Sequence, residues 1–245
     1  MKVIVTNSYD ETCAVIANMI KELVNAKPDA KLGLATGGTP VPIYKKLIEM
    51  NKAGEVDFSR VHTVNLDEYC GIPGTHDQSY RYFMDTNLLD HINIDKKNTF
   101  VASGMGDFEA NARELEEKVR EGGAADLQLL GIGNNGHIAF NEASDHLIAV
   151  AHTEKLTEST INANARFFEK KEDVPTMAIT MGMGDILAAK RVVLAATGLA
   201  KVPAIRGLIM DDVITTQNPS TMLKMHEDAV VVIDRELADA VGYRA

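Results

Sequence analysis

The chain has 245 residues and a mass of 26.7 kDa, long enough to bury a substantial core, and its 45% hydrophobic and 24% charged residues are those of a globular protein, not a disordered one. A formal charge of −10 with no Lys/Arg run excludes a general affinity for nucleic acid, which needs a basic surface. No apolar stretch reaches the length of a membrane span and no Pro/Ser/Gly-rich linker divides the chain, so a single domain over residues 1–245 is expected, without nucleic-acid or membrane partners.

Lys2 to Thr6 reads as a strand, and Ser8 with Glu11 forms a capping-box pattern opening a helix to about Ala26. Lys31 to Ala35 is a second strand. It runs into Thr36-Gly37-Gly38-Thr39-Pro40 and then a helical stretch from Val41 to Lys52. A strand, a glycine pair and a helix N-terminus suit a phosphate, because the backbone can approach the anion and the helix dipole favours negative charge; a tight structural turn explains the pattern equally well. Val61 to Leu66 is the third strand, with Asp67-Glu68-Tyr69 at its carboxyl end and a loop from Cys70 through Asp77. A half-buried carboxylate costs free energy unless it is paired or used. One of these acids is therefore expected to cap or hold structure while the other does chemistry, and spacing does not decide which.

Ser79 to His91 has a helical pattern with Tyr80, Phe83, Met84 and Leu88 inward; Asn98 to Ala102 is a short strand; Asp107 caps a charged helix over 108–120. The apolar run Leu127 to Ile132 reads as a buried strand that breaks into Gly-Asn-Asn-Gly before His137 and Glu142. An unperturbed histidine titrates near pH 6.5 and a nearby carboxylate can orient it for proton transfer, although a loop histidine satisfied by its neighbours fits the same residues. Ala143 to His152 shows no clear period. Helix is expected over 157–168, strand over 176–180, helix over 184–190 and strand over 191–196. Then come a helix from about Lys201 to Met210, a short helix opened by Asn218-Pro219-Ser220, a strand over 230–233 and a helix over 235–241.

Alternating strands and helices predict an α/β fold, a doubly wound and mostly parallel sheet with helices on both faces, Rossmann-like in layout. Ligands of such sheets bind beyond the carboxyl ends of the strands. The glycine loop at 36–40, the acids at 67–68, the His137 loop and Lys201 all follow strand carboxyl ends. Together they supply an anion cradle, a cation, a carboxylate base and a histidine acid/base. No Gly-x-Ser-x-Gly elbow is present, the seven histidines are dispersed and no zinc-ligand spacing occurs. This pattern points to proton-transfer chemistry on a small phosphorylated molecule without cofactor or metal, with a non-catalytic sugar-phosphate binder as the alternative. Cys13 and Cys70 lack disulfide or zinc spacing and no leader-like segment opens the chain, so a cytoplasmic location is expected. Cys70 has no local histidine motif and is read as a bystander.

Thr36-Gly-Gly-Thr-Pro40, Asn65-Leu-Asp-Glu-Tyr69, Gln78-Ser-Tyr80, Gly131-Ile-Gly-Asn-Asn-Gly-His-Ile-Ala-Phe-Asn-Glu142, Leu156-Thr-Glu-Ser-Thr160, Ala163-Asn-Ala-Arg-Phe-Phe168 and Thr197-Gly-x-x-Lys201 resemble the glucosamine-6-phosphate deaminase (isomerase) family over about residues 1 to 235. The resemblance implies conversion of glucosamine 6-phosphate to fructose 6-phosphate and ammonia. In it His137 opens the pyranose ring, Asp67 carries a proton from C2 to C1, Glu142 orients His137, and Asn135 adds a neutral hydrogen bond. Gly37, Gly38, Thr39, Arg166 and Lys201 hold the phosphate, with Thr36 and Glu68 as further substrate contacts. Departures from the family pattern fall on Asn135, where some members carry Asp, and on 143–152, where Val150 replaces the usual arginine. His152 and Glu154 stand where hexameric members carry the basic residues of an allosteric phosphate site. Likeness to the shorter bacterial branch implies a monomer or small homo-oligomer. A galactosamine-6-phosphate deaminase and a 6-phosphogluconolactonase-like hydrolase are the neighbouring enzyme readings, and Asp67-Glu68-Tyr69 counts against the second.

Overall fold

In the computed structural model, whose described residues are 1–165 and 168–244, the apolar runs pair as strands and the amphipathic stretches cover them. The elements in chain order are β1 (Lys2–Thr6), α1 (Tyr9–Ala26), β2 (Lys31–Leu34), α2 (Val41–Lys52), β3 (His62–Asn65), β4 (Asp67–Tyr69) and α3 (Tyr80–Met84). There follow β5 (Thr99–Phe100), α4 (Phe108–Arg120), β6 (Leu127–Leu130), β7 (His152–Lys155), α5 (Glu158–Asn164), β8 (Met177–Thr180) and α6 (Met183–Leu187). The chain closes with β9 (Val192–Ala196), α7 (Val202–Ile209), β10 (Ala229–Asp234) and α8 (Arg235–Val241).

Among the described residues the larger sheet has the order β1-β10-β9-β6-β2-β3-β5, and its pairings are parallel. Its central strands are buried on both faces, so their sequences are continuously apolar instead of alternating. Leu127, Leu129, Val193, Val230 and Val232 pack under α1 and α2, while Leu130, Leu194, Val231 and Ile233 pack under α4, α6, α7 and α8. Each such side chain fully removed from water contributes roughly 1.5–3 kcal/mol. The Ser8 hydroxyl caps α1 by accepting from the Glu11 N–H at 3.2 Å, but the Glu11 carboxylate closes onto the Asn7 N–H at 2.7 Å, one residue earlier than a capping box would place it.

From β2 the chain moves outward through β3 to β5, returns to β6 on the other side of β2, and moves away through β9 and β10. The order therefore reverses between β2 and β6. The loops leaving those two strands part there and open a crevice, the usual ligand position in such sheets.

Beyond this crevice lies a second, antiparallel sheet of order β4-β8-β7. Leu66 is the hinge between the sheets: its N–H donates to Leu34 in the large sheet (3.1 Å), and its carbonyl accepts from Met181 next to the small one (2.8 Å). Asp67–Tyr69, expected at the carboxyl end of the third strand, forms a short strand of its own with Asp67 opposite Thr180. The patternless stretch from Ala143 gives way at His152 to a strand, and three or four polar residues such as His-Thr-Glu-Lys carry no periodic signal. The helix expected over 79–91 is split into α3 and a wider π-helical turn at 85–89. Met84 and Leu88 are buried as expected.

Candidate active site

The crevice at the β2/β6 reversal widens into a cleft of about 620 Å³, a volume suited to a small metabolite. Thr36, Gly37, Gly38, Thr39, Asp67, Asn135, His137 and Lys201 line it together. They come from the ends of β2, β3, β6 and β9, so the strand-end rule gathers residues up to 165 positions apart in sequence.

At one end stand the glycine loop and Lys201. Gly37 has φ +93°, a conformation that side-chain-bearing residues rarely adopt, and a Cβ built on it would meet nothing within 4 Å. The loop is therefore shaped by backbone conformation and its inner surface is open. The Tyr9 hydroxyl anchors it by donating to the Thr39 carbonyl at 2.5 Å. Lys201 sits at the start of α7, and burial lowers the pKa of its ammonium from the ordinary lysine value. A partly desolvated ammonium beside an open glycine loop is complementary to an anion.

At the other end, Glu142 is buried behind His137. Its Oε1 accepts from the Thr160 hydroxyl at 2.5 Å and its Oε2 from the Asn135 amide at 2.7 Å; His137 Nδ1 lies 3.3 Å from Oε2. That last contact is within ion-pair range but off the line of a good hydrogen bond, so Nδ1 is buried without a well-aligned acceptor among the described residues. Burial works against ionisation of Glu142, yet the His137, Thr160 and Asn135 contacts outweigh it and hold the carboxyl down at about 2. Asn135 also accepts from the His137 N–H at 3.2 Å, so one amide fixes both the histidine backbone and the carboxylate. Ala139, just beyond, has φ +53°, a strained conformation for alanine, in a turn fastened by Asn141 Nδ2 to Ile138 O (3.0 Å) and Met181 O (2.8 Å).

The two adjacent acids separate cleanly. Asp67 is 7% exposed, faces the cleft, and its Oδ1 has no hydrogen-bond partner among the described residues. Burial, reinforced by the neighbouring charge of Glu68, pushes its carboxyl up to about 8. Glu68 instead accepts from the backbone N–H groups of Tyr69 (2.8 Å), Tyr80 (2.8 Å) and Arg81 (2.9 Å), closing the N-terminus of α3. Glu68 is expected as a further substrate contact; in the structure its oxygens accept from the backbone at the start of α3, and it is not among the residues lining the cleft. Arg166, expected at the phosphate, lies outside the described residues. Cys70 is buried and its thiol is pushed up to about 11, first by burial, so it offers no thiolate.

The model of the family described as glucosamine-6-phosphate isomerases/6-phosphogluconolactonase matches residues 6–232. The chain belongs to this family. It is 52% identical over 242 residues to a glucosamine-6-phosphate deaminase of Clostridium beijerinckii, covering 98% of this chain and 100% of that one. The structure of a monomeric glucosamine-6-phosphate deaminase superposes with a TM-score of 0.94 at 39% identity, covering 98% of this chain and 100% of that one. A 6-phosphogluconolactonase from Thermotoga maritima shares the fold, with a TM-score of 0.75 at 18% identity over 96% of this chain and 99% of that one.

Three residues of this family member's site escape a linear reading. Tyr80, expected in the core, lines the cleft and stacks on Phe140 with ring centroids 6.2 Å apart. Thr160, part of the Leu156–Thr160 stretch but given no role there, holds Glu142. Asn218 supports the His137 loop from behind: its Nδ2 donates to Ala204 O (2.9 Å), and the Ser220 N–H two residues on donates to Gly136 O (2.8 Å). Only the Asn-Pro-Ser turn at 218–220 signalled anything at that position.

Proposed function

We propose that this protein is a glucosamine-6-phosphate deaminase, converting glucosamine 6-phosphate and water to fructose 6-phosphate and ammonia, and that residues 1–245 act as one unit. The observation that carries the reading is a buried carboxyl, Asp67, whose Oδ1 has no hydrogen-bond partner among the described residues, in the same cleft as a histidine backed by a carboxylate and an anion end built from Gly37, Gly38, Thr39 and Lys201. The phosphate binds at the glycine loop and Lys201, with Thr36 beside it, and fixes the sugar along the cleft. His137, oriented by Glu142 and Asn135, moves a proton from the O1 hydroxyl to the ring oxygen and opens the pyranose. Asp67 then takes the proton from C2, which the C1 aldehyde acidifies, and returns it to C1. C2 is left as an imine, water adds, and the amine departs as ammonia.

The substrate itself supplies the charge that Asp67 lacks. An ammonium at C2 brings a cation to the unpartnered Oδ1, favouring the carboxylate needed for proton abstraction. A sugar phosphate without the amine brings no such charge. Electrostatics thus support an amino sugar as substrate.

We further infer a monomer in the cytoplasm. A structural neighbour is described as monomeric, both cysteines are free and buried, and no helix among the described residues is long and apolar enough to cross a membrane. Incubation with glucosamine 6-phosphate, galactosamine 6-phosphate and 6-phosphogluconolactone separates the enzyme readings. Equimolar ammonia and fructose 6-phosphate from the first is expected; lactone hydrolysis without ammonia from either amino sugar would overturn the proposal.

A further inference from the structure

We propose that Thr160 is a positioning residue for the ring-opening step, acting through Glu142 on the tautomer and orientation of His137. The inference rests on the deaminase reading of the cleft. It gives helix α5 a part in proton transfer through a neutral hydroxyl to which the sequence assigned no role.

The carboxylate of Glu142 has two oxygens with separate duties. Oε2 receives the Asn135 amide (2.7 Å) and faces His137 Nδ1 (3.3 Å), while Oε1, among the described residues, receives only the Thr160 hydroxyl (2.5 Å). The torsion about the carboxyl group is soft, so one anchored oxygen leaves the plane free to turn and two fix it. Thr160 therefore decides whether Oε2 is presented to the imidazole.

The hydroxyl is itself directed. Thr157, the N-cap of α5, accepts from the Thr160 N–H at 3.2 Å and its own hydroxyl donates to Thr160 Oγ1 at 3.0 Å. With its acceptor side occupied, Thr160 has its proton left for Glu142. The chain Thr157 to Thr160 to Glu142 is thus polarised in one direction, and each bond strengthens the next. Both ends of the key contact are dry: Thr160 is 9% and Glu142 8% exposed. Loss of the hydroxyl leaves Oε1 buried without a partner, which costs roughly 1–3 kcal/mol unless the carboxylate rotates to find one. Rotation withdraws Oε2 from His137.

Thr160 also lines the cleft, so the tie that orients the acid/base group lies in the wall of the cleft, and a displacement of α5 alters the His137 pair directly. A threonine there solely to cap or pack α5 would affect stability but leave the imidazole unchanged.

The test compares wild type with Thr160→Val, which keeps the shape and removes the hydroxyl, and Thr160→Ser, which keeps the hydroxyl. Ammonia release from glucosamine 6-phosphate is measured together with 15N NMR of the His137 ring in each protein. Expected for Thr160→Val is a kcat lowered about tenfold to a hundredfold, the span of a misoriented general acid/base, with KM changed less than threefold. The ring spectrum should move from one tautomer, with Nδ1 protonated toward Glu142, to a mixture. Thr160→Ser should recover most of both readouts. Wild-type kcat and an unchanged ring spectrum in a folded Thr160→Val protein would overturn the proposal, as would equal loss in the serine variant. If wild type itself releases no ammonia, the deaminase reading fails first, and the ring spectra of the two variants still show whether Thr160 controls the imidazole.

Discussion

Asp67 shows how placement sets chemistry at the scale of one residue. A carboxyl buried without a partner resists ionisation, so in the empty protein it keeps its proton until about pH 8. Two consequences follow in opposite directions. Because the free enzyme must lose that proton to act as a base, kcat/KM is expected to rise with pH through about 8. The dependence of kcat should be shallower, since the bound amine has already drawn the proton off; a pH-independent kcat/KM between 6 and 9 would contradict the assignment. Stability runs the other way. The folded-state pKa lies above the unfolded one, so the contribution is fully present below about pH 4 and is lost as pH rises through about 8. Asp67→Asn should therefore abolish turnover while raising Tm at pH 8.5 by about 3 °C or more, and by much less at pH 4. Glu142 has the reverse sign: its depressed pKa stabilises the fold above about pH 4.5, and that contribution is lost as pH falls through about 2. At the anion end, Lys201→Met should raise KM about tenfold to a hundredfold with a smaller effect on kcat, because a charge-assisted contact to a phosphate is worth roughly 1.5–3 kcal/mol. Steady-state kinetics check both parameters.

At the scale of elements, the catalytic loop after β6 is held by what stands behind it. A Cβ on Gly133 would lie 2.3 Å from the His137 ring, so Gly133→Ala must push the imidazole out of register. We expect a kcat loss of at least about tenfold with a Tm within a few degrees of wild type; a crystal structure of the variant would show the displaced ring. Asn218→Ala should act more mildly on the same loop by loosening the turn that donates to Gly136. Much of this framework is legible in the sequence, because long apolar runs and capped amphipathic stretches announce the large sheet and its helices. Gly37 and the His137 loop are legible too, as breaks directly after strands. The small sheet is not. Asp67–Tyr69 and His152–Lys155 are too short and too polar to carry a period, and β4 finds its partner β8 only across 109–113 residues of sequence. Assigning Asp67 to the cleft and Glu68 to the helix likewise depends on which way a strand side chain points, and adjacent acids look alike until the register is known.

At the scale of the molecule, one topological event positions everything. The reversal of strand order between β2 and β6 opens the crevice, and the departure of β4 from the end of β3 brings a buried acid to its wall. The segment at 143–152, which departs from the family pattern, is tied down by Thr216 and Gln217, both donating to the Ser144 carbonyl at 2.6 and 2.8 Å. His152 Nε2 lies 3.3 Å from the Glu154 carboxylate, so this pair does not form a basic cluster for a second phosphate, and saturation by glucosamine 6-phosphate should be hyperbolic. The proton movement at C2 distinguishes this account from every other way of releasing an amine. The most direct measurement is turnover of glucosamine 6-phosphate deuterated at C2, with ammonia and the position of the label followed together. The account predicts that each ammonia released is matched by one fructose 6-phosphate and one deuterium lost from C2. Ammonia released into a product that keeps deuterium at C2 would contradict it.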